Sequence, residues 1–283
     1  MPHPAPTAAE LAAHQVPFDV AALRSRRADA RFGGVVHYAD TLESTNDTAR
    51  ELGLGGATEG TVVLAERQTR GRGRLGRSWV SPPHRNLYLS IVLRPAIPTA
   101  QAPQLALVVG LATAEAMREW APALGLKWPN DVVLDGGKLA GILTEMETSG
   151  TDVRFVIAGV GLNVNSVADD FPPELRDRAV GLCTAAGHPV DRVAVAAALL
   201  ARLEARYDEY LARGFAPLRP AWERLSCLSG HRVCVAEGAQ QLEGTVAGLT
   251  DDGALRLVEA GGRERLVLAG DVTVIGGYTA SRG

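Results

Sequence analysis

The chain is expected to fold as an α+β protein, with helices packed against a mixed or antiparallel sheet and a small β barrel following it. Two apolar-alternating runs, residues 126–134 and 138–146, flank Asp135-Gly136-Gly137, a strong hairpin signal. Residues 102–120 and 190–212 carry long helical apolar patterns, the second as a stripe through Val193, Ala196, Leu200 and Leu203. After Gly230 the pattern changes to short strands at close spacing with Gly- or Asp-rich turns, the signature of a small barrel.

In chain order, residues 1–16 are rich in Ala, Pro and His without periodicity and read as a frayed tail. Residues 19–27 read as a short helix and 35–38 as a strand. Ser44 or Thr45 is a natural N-cap for a helix over 48–54. Residues 61–65 and 86–93 read as strands, separated by a Gly/Arg-rich stretch, 71–83, that has neither period. Residues 153–160 form a further buried strand ending in Gly161-Leu162-Asn163, and 217–228 a helix carrying Trp222. The final strands are expected at 233–236, 241–247, 254–259 and 264–268. The expected division is a tail over 1–16, a large domain over 17–228 and a small β domain over 229–283.

Composition excludes several classes of function. A net charge of −3 argues against a general polyanion binder, so a nucleic-acid role would need a local basic patch. The cysteines, Cys183, Cys227 and Cys234, are odd in number and scattered, which gives neither a disulfide framework nor a zinc site. With no spanning run and no signal peptide, the expected location is the cytoplasm, away from any membrane. Lysine and arginine number 29, and lysine stands only at Lys127 and Lys138, so 27 are arginine. In such a chain a lysine is expected where a compact, three-donor charge fits and a planar guanidinium does not.

The densest chemical signal is Gln68-Thr69-Arg70-Gly71-Arg72-Gly73-Arg74-Leu75-Gly76-Arg77-Ser78-Trp79. Its glycines satisfy GxGxxG, but Trp79-Val80-Ser81-Pro82-Pro83 follows where a dinucleotide fold needs a helix. The same missing helix excludes a phosphate-binding P-loop. What remains is a pliable loop in which Arg67, Arg70, Arg72, Arg74 and Arg77 have no acid among them, suited to gripping phosphates, with Trp79 to close over a ring. A solvated loop or a nucleic-acid patch would share that composition. In Lys127-Trp128-Pro129-Asn130-Asp131 the proline forces an irregular edge, and the Asn-Asp pair either offers oxygens to Mg²⁺ or forms an Asx turn. Lys138 alone reads as an edge-strand lysine.

Taken in order, Glu43-Ser44-Thr45-Asn46, Gln68 with the Gly71–Trp79 loop, Lys127–Asp131, Gly137-Lys138-Leu139-Ala140-Gly141-Ile142-Leu143 and Gly161-Leu162-Asn163 resemble the biotin protein ligases across residues 40–165. The resemblance implies a class II synthetase-like catalytic domain and an SH3-like C-terminal barrel. The roughly 33 residues before the first strand are too few for the helix-turn-helix domain of many relatives, so the ligase-only form is expected. The implied reaction joins biotin to ATP as biotinyl-5′-adenylate, with Mg²⁺ accompanying ATP, and passes biotin to a lysine of a biotin carboxyl carrier domain. By resemblance Ser44, Thr45, Gln68, Gly71, Arg72, Arg74, Lys138, Gly141 and Leu143 serve biotin. Arg74, Arg77, Trp79, Lys127, Asn130 and Asn163 serve ATP; Lys138, Arg74 and Asp131 are catalytic, and Asn130 and Asp131 meet the metal. A monomer or weak homodimer without DNA affinity is expected. Lipoate protein ligase is the alternative enzyme, and a nucleic-acid-binding regulator the alternative outside catalysis.

Overall fold

The computed structural model describes residues 6–238 and 240–276. Two short helices precede the first strand, α1 (Ala8–Ala13) and α2 (Val20–Arg26). The first lies in the stretch expected to be frayed, and that expectation is corrected. Glu10 accepts the Thr7 N–H at 2.7 Å, the Thr7 hydroxyl accepts the Glu10 N–H, and Leu11 is buried. A capping box and one anchoring leucine order a segment too short to show a period. Residues 1–5 of the expected tail, and 277–283 of the expected C-terminal domain, lie outside the described residues.

The chain continues through β1 (Val36–Leu42), α3 (Thr45–Leu54), β2 (Val62–Gln68), β3 (Leu87–Leu93) and α4 (Gln104–Met117). Four strands follow, β4 (Gly125–Lys127), β5 (Asp131–Leu134), β6 (Gly137–Ser149) and β7 (Asp152–Leu162). These seven strands form one mixed sheet in the order β1-β2-β3-β7-β6-β5-β4. β1 and β2 run parallel across the α3 crossover, and the other pairs are antiparallel. All seven residues of β3 are buried, as its central place demands.

Each face of the sheet is covered. On one, Ala49 of α3 packs with Val63, Val92, Phe155 and Ile157, and Gly53 is small because a Cβ there would meet the Phe155 ring at 2.9 Å. On the other lies α4, apolar nearly all round because α6 packs outside it. Between β7 and that helix comes α5 (Leu182–Ala186); α6 itself is Arg192–Arg213, capped by the Asp191 carboxylate accepting the Val193 N–H at 2.8 Å. Its buried stripe includes Val193, Ala196, Leu200 and Leu203, as the sequence periodicity requires.

The helix expected over 217–228 is shorter, α7 (Arg219–Arg224). Beyond it the chain extends beside the edge strand β4, where Leu126 N–H donates to Leu225 O at 2.6 Å and Cys227 N–H to Leu126 O at 2.9 Å. Satisfying an otherwise open sheet edge outweighs continuing the helix. The remaining strands, β8 (Arg232–Glu237), β9 (Gln240–Leu249), β10 (Leu255–Val258), β11 (Glu264–Val267) and β12 (Asp271–Val274), form a five-stranded antiparallel sheet. The last of these was not legible in the sequence; it pairs with β8. Trp128 is buried and its indole N–H donates to Gly253 O at 3.1 Å, tying this sheet to the large one.

Away from the cleft, Glu66 on β2 gathers several segments into one buried knot. Its carboxylate pairs with Arg192 of α6 at 2.7 Å and accepts N–H bonds from Phe18 at 2.5 Å and His84 at 3.2 Å. Burial pushes this carboxyl up, but the bonds and charge of Arg192, with the Phe18 N–H, outweigh it and leave the group below the usual carboxylate range.

Candidate active site

The site lies where α3, the ends of β2 and β7, the start of β6 and the Gly/Arg loop converge. Ser44 caps α3 by position without a side-chain bond to the helix, and it is buried. The Thr45 N–H and hydroxyl both donate to Gln68 Oε1, at 2.9 and 3.1 Å. Ser90 of β3 donates to the Thr45 hydroxyl and sits 2.6 Å from Asn46 Oδ1, completing a buried polar network. Asn46 in turn donates to Glu145 Oε2 at 2.5 Å.

Lys138 reaches the site through an irregularity in the sheet. The β5–β6 register shifts between Val132 and Val133, which leaves Leu139 as an extra residue on β6. In a regular strand residues three apart face opposite ways; the bulge brings Lys138 and Gly141 to one face. A Cβ at Gly141 would lie 2.8 Å from Lys138 Cε. The Lys138 ammonium pairs with Asp131 at 2.7 Å and stands 5.5 Å from the Trp79 ring centroid. The hairpin turn that sets this register has Asp135 and Gly136 both at positive φ, 49° and 82°, as a two-residue type I′ turn requires.

Two connected spaces result. An inner chamber of about 40 Å³ is lined by Ser44, Thr45, Gln68, Arg72, Gly141 and Leu143 together with Arg74 and Lys138. An outer cleft of about 500 Å³ is lined by Arg74, Arg77, Trp79, Lys127, Asn130, Asp131, Lys138 and Asn163. Arg74, Trp79, Asn130 and Lys138 border both. Every residue assigned by resemblance to biotin, ATP, catalysis or metal except Gly71 borders one space or the other, whereas the loop arginines Arg67 and Arg70 border neither. Gly71 stands behind the loop, where its carbonyl accepts the Trp79 N–H at 2.9 Å and a Cβ would meet Trp79 O at 2.8 Å.

The loop arginines are not the free cluster that a stretch without acids implied. Arg70 pairs with Glu43 at 2.9 Å, Arg72 with Asp47 at 2.6 Å and Glu145 at 3.1 Å, and Arg77 with Asp271 of β12. Their partners come from distant parts of the chain. The Asp47 hydrogen bond, helped by the Glu145 charge, outweighs partial burial and raises the Arg72 pKa further. Arg74 donates to Asn130 Oδ1 at 3.1 Å, and Asn130 donates to Ile142 O at 2.8 Å. The two side chains read as metal ligands therefore each face a cation, Asn130 meeting Arg74 and Asp131 meeting Lys138. Among the described residues no cluster of three His, Cys, Asp or Glu is arranged to hold a metal ion.

Asn46, Glu145, Asp47, Arg178 and Asp271 were not picked from the sequence. Asn46 carried a signal, being one of only five asparagines and adjacent to Ser44 and Thr45. Asp271 and Arg178 reach the cleft only through tertiary packing, from β12 and from the segment whose Arg178 carbonyl accepts the Lys138 N–H at 2.7 Å.

Comparison with known proteins agrees with this geometry. Residues 38–163 match the Biotin/lipoate A/B protein ligase family, and residues 228–274 match the Biotin protein ligase C terminal domain. The bifunctional ligase/repressor BirA of Bacillus subtilis is 41% identical over 78% of this chain and 68% of its own length. The biotin–[acetyl-CoA-carboxylase] ligase of Mycobacterium tuberculosis is 36% identical, over 90% of this chain and 95% of its own length. The biotin protein ligase of Aquifex aeolicus, solved with biotin and ATP, superposes with a TM-score of 0.72 at 30% identity, covering 85% of this chain and 98% of that one. With the adjoining chambers and the five motifs that line them, these relatives place the chain in the biotin protein ligase family.

Proposed function

We propose that this chain is an ATP-dependent biotin protein ligase that adenylates biotin and transfers it to a lysine of a biotin carboxyl carrier domain. The observation that carries the reading is the shared border: Arg74 and Lys138 stand between a small, polar-ended chamber and a cation-lined cleft. Biotin is assigned to the inner chamber, where Ser44, Thr45 and Gln68 offer donors and acceptors to its polar ring and Gly141 and Leu143 shape the wall. Gly71 supports that wall, and Arg72 closes it. ATP is assigned to the outer cleft, with Arg74, Arg77, Trp79, Lys127, Asn130 and Asn163 as its contacts.

In the first step a biotin carboxylate oxygen attacks the α-phosphorus and pyrophosphate leaves, giving a mixed anhydride. Two anions must approach, so cations at the border are what the step needs. Lys138, a point charge on a flexible stem, can bridge carboxylate and α-phosphate as charge shifts. Mg²⁺ would accompany the ATP phosphates and help neutralise them, and Asn130 and Asp131 would be the protein oxygens to meet it only by giving up Arg74 and Lys138. In the second step a deprotonated lysine amine attacks the anhydride carbonyl and AMP leaves. That amine has an ordinary pKa near 10.4, and Asp131 or the adenylate itself would help it lose a proton. We assign residues 17–228 to the catalytic domain and 229–283 to the small β domain, and expect a monomer or weak homodimer in the cytoplasm without DNA affinity. Among the described residues no helix is long and apolar enough to cross a membrane.

ATP–pyrophosphate exchange with biotin, with lipoate and with neither tests this reading. Exchange that depends on biotin supports it; dependence on lipoate, or none on either acid, overturns it.

A further inference from the structure

The floor beneath the loop has almost no side chains. Gly141 lies directly opposite Gly161 in the β6–β7 ladder, and Leu143 opposite Gly159. Neither Gly141 nor Gly161 has a positive φ, so their backbones would accept any residue, and the constraint is space. A Cβ at Gly161 would lie 2.5 Å from Trp79 Cε2, 2.7 Å from Cζ2 and 2.8 Å from Nε1. One at Gly141 would lie 2.9 Å from Trp79 Cζ3. The indole thus rests flat on two facing glycines, with its Nε1 buried and without a hydrogen-bond partner among the described residues.

Trp79 borders both the inner chamber and the outer cleft, so the height of its ring sets where one ends and the other begins. We infer that Gly161 is a positioning residue that acts through Trp79: the bare floor there seats the indole as the partition between the two substrates. The inference rests on the function proposed above. A methyl at position 161 would sit about 1 Å inside ordinary contact with the ring, which must lift or tilt by that much. Misplacement of ~1 Å at a reacting centre can cost ~10²-fold in rate.

A double-mutant cycle in kcat/KM for biotin-dependent adenylation, run alongside thermal midpoints, tests this. Gly161→Ala is expected to lose ~10²-fold with a near-parental midpoint. Trp79→Leu ends short of the atoms that meet Gly161, so adding Gly161→Ala to it is expected to change activity less than about 3-fold. Full activity of Gly161→Ala, or an equal loss in both backgrounds, overturns the inference. If Gly161→Ala alone fails to fold, the Trp79→Leu double variant must fold, and its failure to do so overturns the inference as well. A parent chain without biotin-dependent exchange refutes instead the functional reading on which this rests.

Discussion

Replacing Glu66 by Gln tests whether the buried knot holds the N-terminal segment and α6 to the sheet. The two side chains of the pair are 1% and 6% exposed, so little solvent screens the Arg192 guanidinium once its partner is neutral. Breaking such a pair by removing one charge costs ~3–5 kcal/mol. The lower end is expected, because the glutamine carbonyl can still accept the Phe18 N–H that Glu66 now receives. At ~2–4 °C per kcal/mol for a chain of this size, about 3 kcal/mol predicts a fall of roughly 6–12 °C in the thermal midpoint. The sign with pH follows from the lowered carboxyl. Its stabilisation is complete above the unfolded value, near 4.3, and fades as pH falls through the lower folded value. Scanning calorimetry from pH 7 to pH 3 should therefore show parent and variant converging at the acid end. A gap below about 1 kcal/mol at pH 7, or one that stays constant down to pH 3, would refute the reasoning.

Lys138→Arg should fold normally yet lose ~10²-fold in adenylation rate, about 2.7 kcal/mol of barrier, because the wider guanidinium must displace Trp79 or Asp131; single-turnover adenylate formation at the parental rate would contradict it. Arg72→Ala should shift stability by under about 1 kcal/mol, since its ion pairs with Asp47 and Glu145 are partly exposed, while biotin affinity by calorimetry falls; a cooperative loss of folding would show the arginine to be structural. A chain beginning at Val16 loses the buried Leu11 and should drop by about 1.5–3 kcal/mol in denaturant unfolding, and an unchanged midpoint would return residues 6–15 to the status of a tail.

Local patterns in the sequence were enough to place most of the fold. The Asp135-Gly136 turn, the stripe of α6 and the alternation in β6 each reveal their state within a dozen residues, because turn chemistry and burial period act over that range. What escaped depended on partners far away. Helix α1 is held by one leucine and a cap; the short α7 ends where β4 offers backbone bonds; β12 is four residues whose only cue is pairing with β8. The same divide runs through the site. Motifs showed which residues gather, yet an Arg-rich stretch without acids gave no hint that Glu43, Asp47, Glu145 and Asp271 would be folded against it.

That pairing changes what the loop must do when an anion arrives. A set of free guanidiniums would attract phosphate strongly and without selection, and would repel itself in the empty site. Guanidiniums already held by carboxylates are pre-placed and neutralised, so an incoming phosphate competes with Asp271 for Arg77, and the Arg74–Asn130 bond must yield if Arg74 is to turn to the ligand. Binding is then an exchange of partners whose net gain is smaller than the gross attraction, and it favours a ligand that offers several phosphate oxygens at once over a single charge. On this argument removing Asp271 should strengthen the response to simple anions more than to ATP. Inorganic phosphate should therefore become a better competitive inhibitor of exchange in Asp271→Asn than in the parent, and an inhibition constant unmoved by the substitution would show that the acid does not compete.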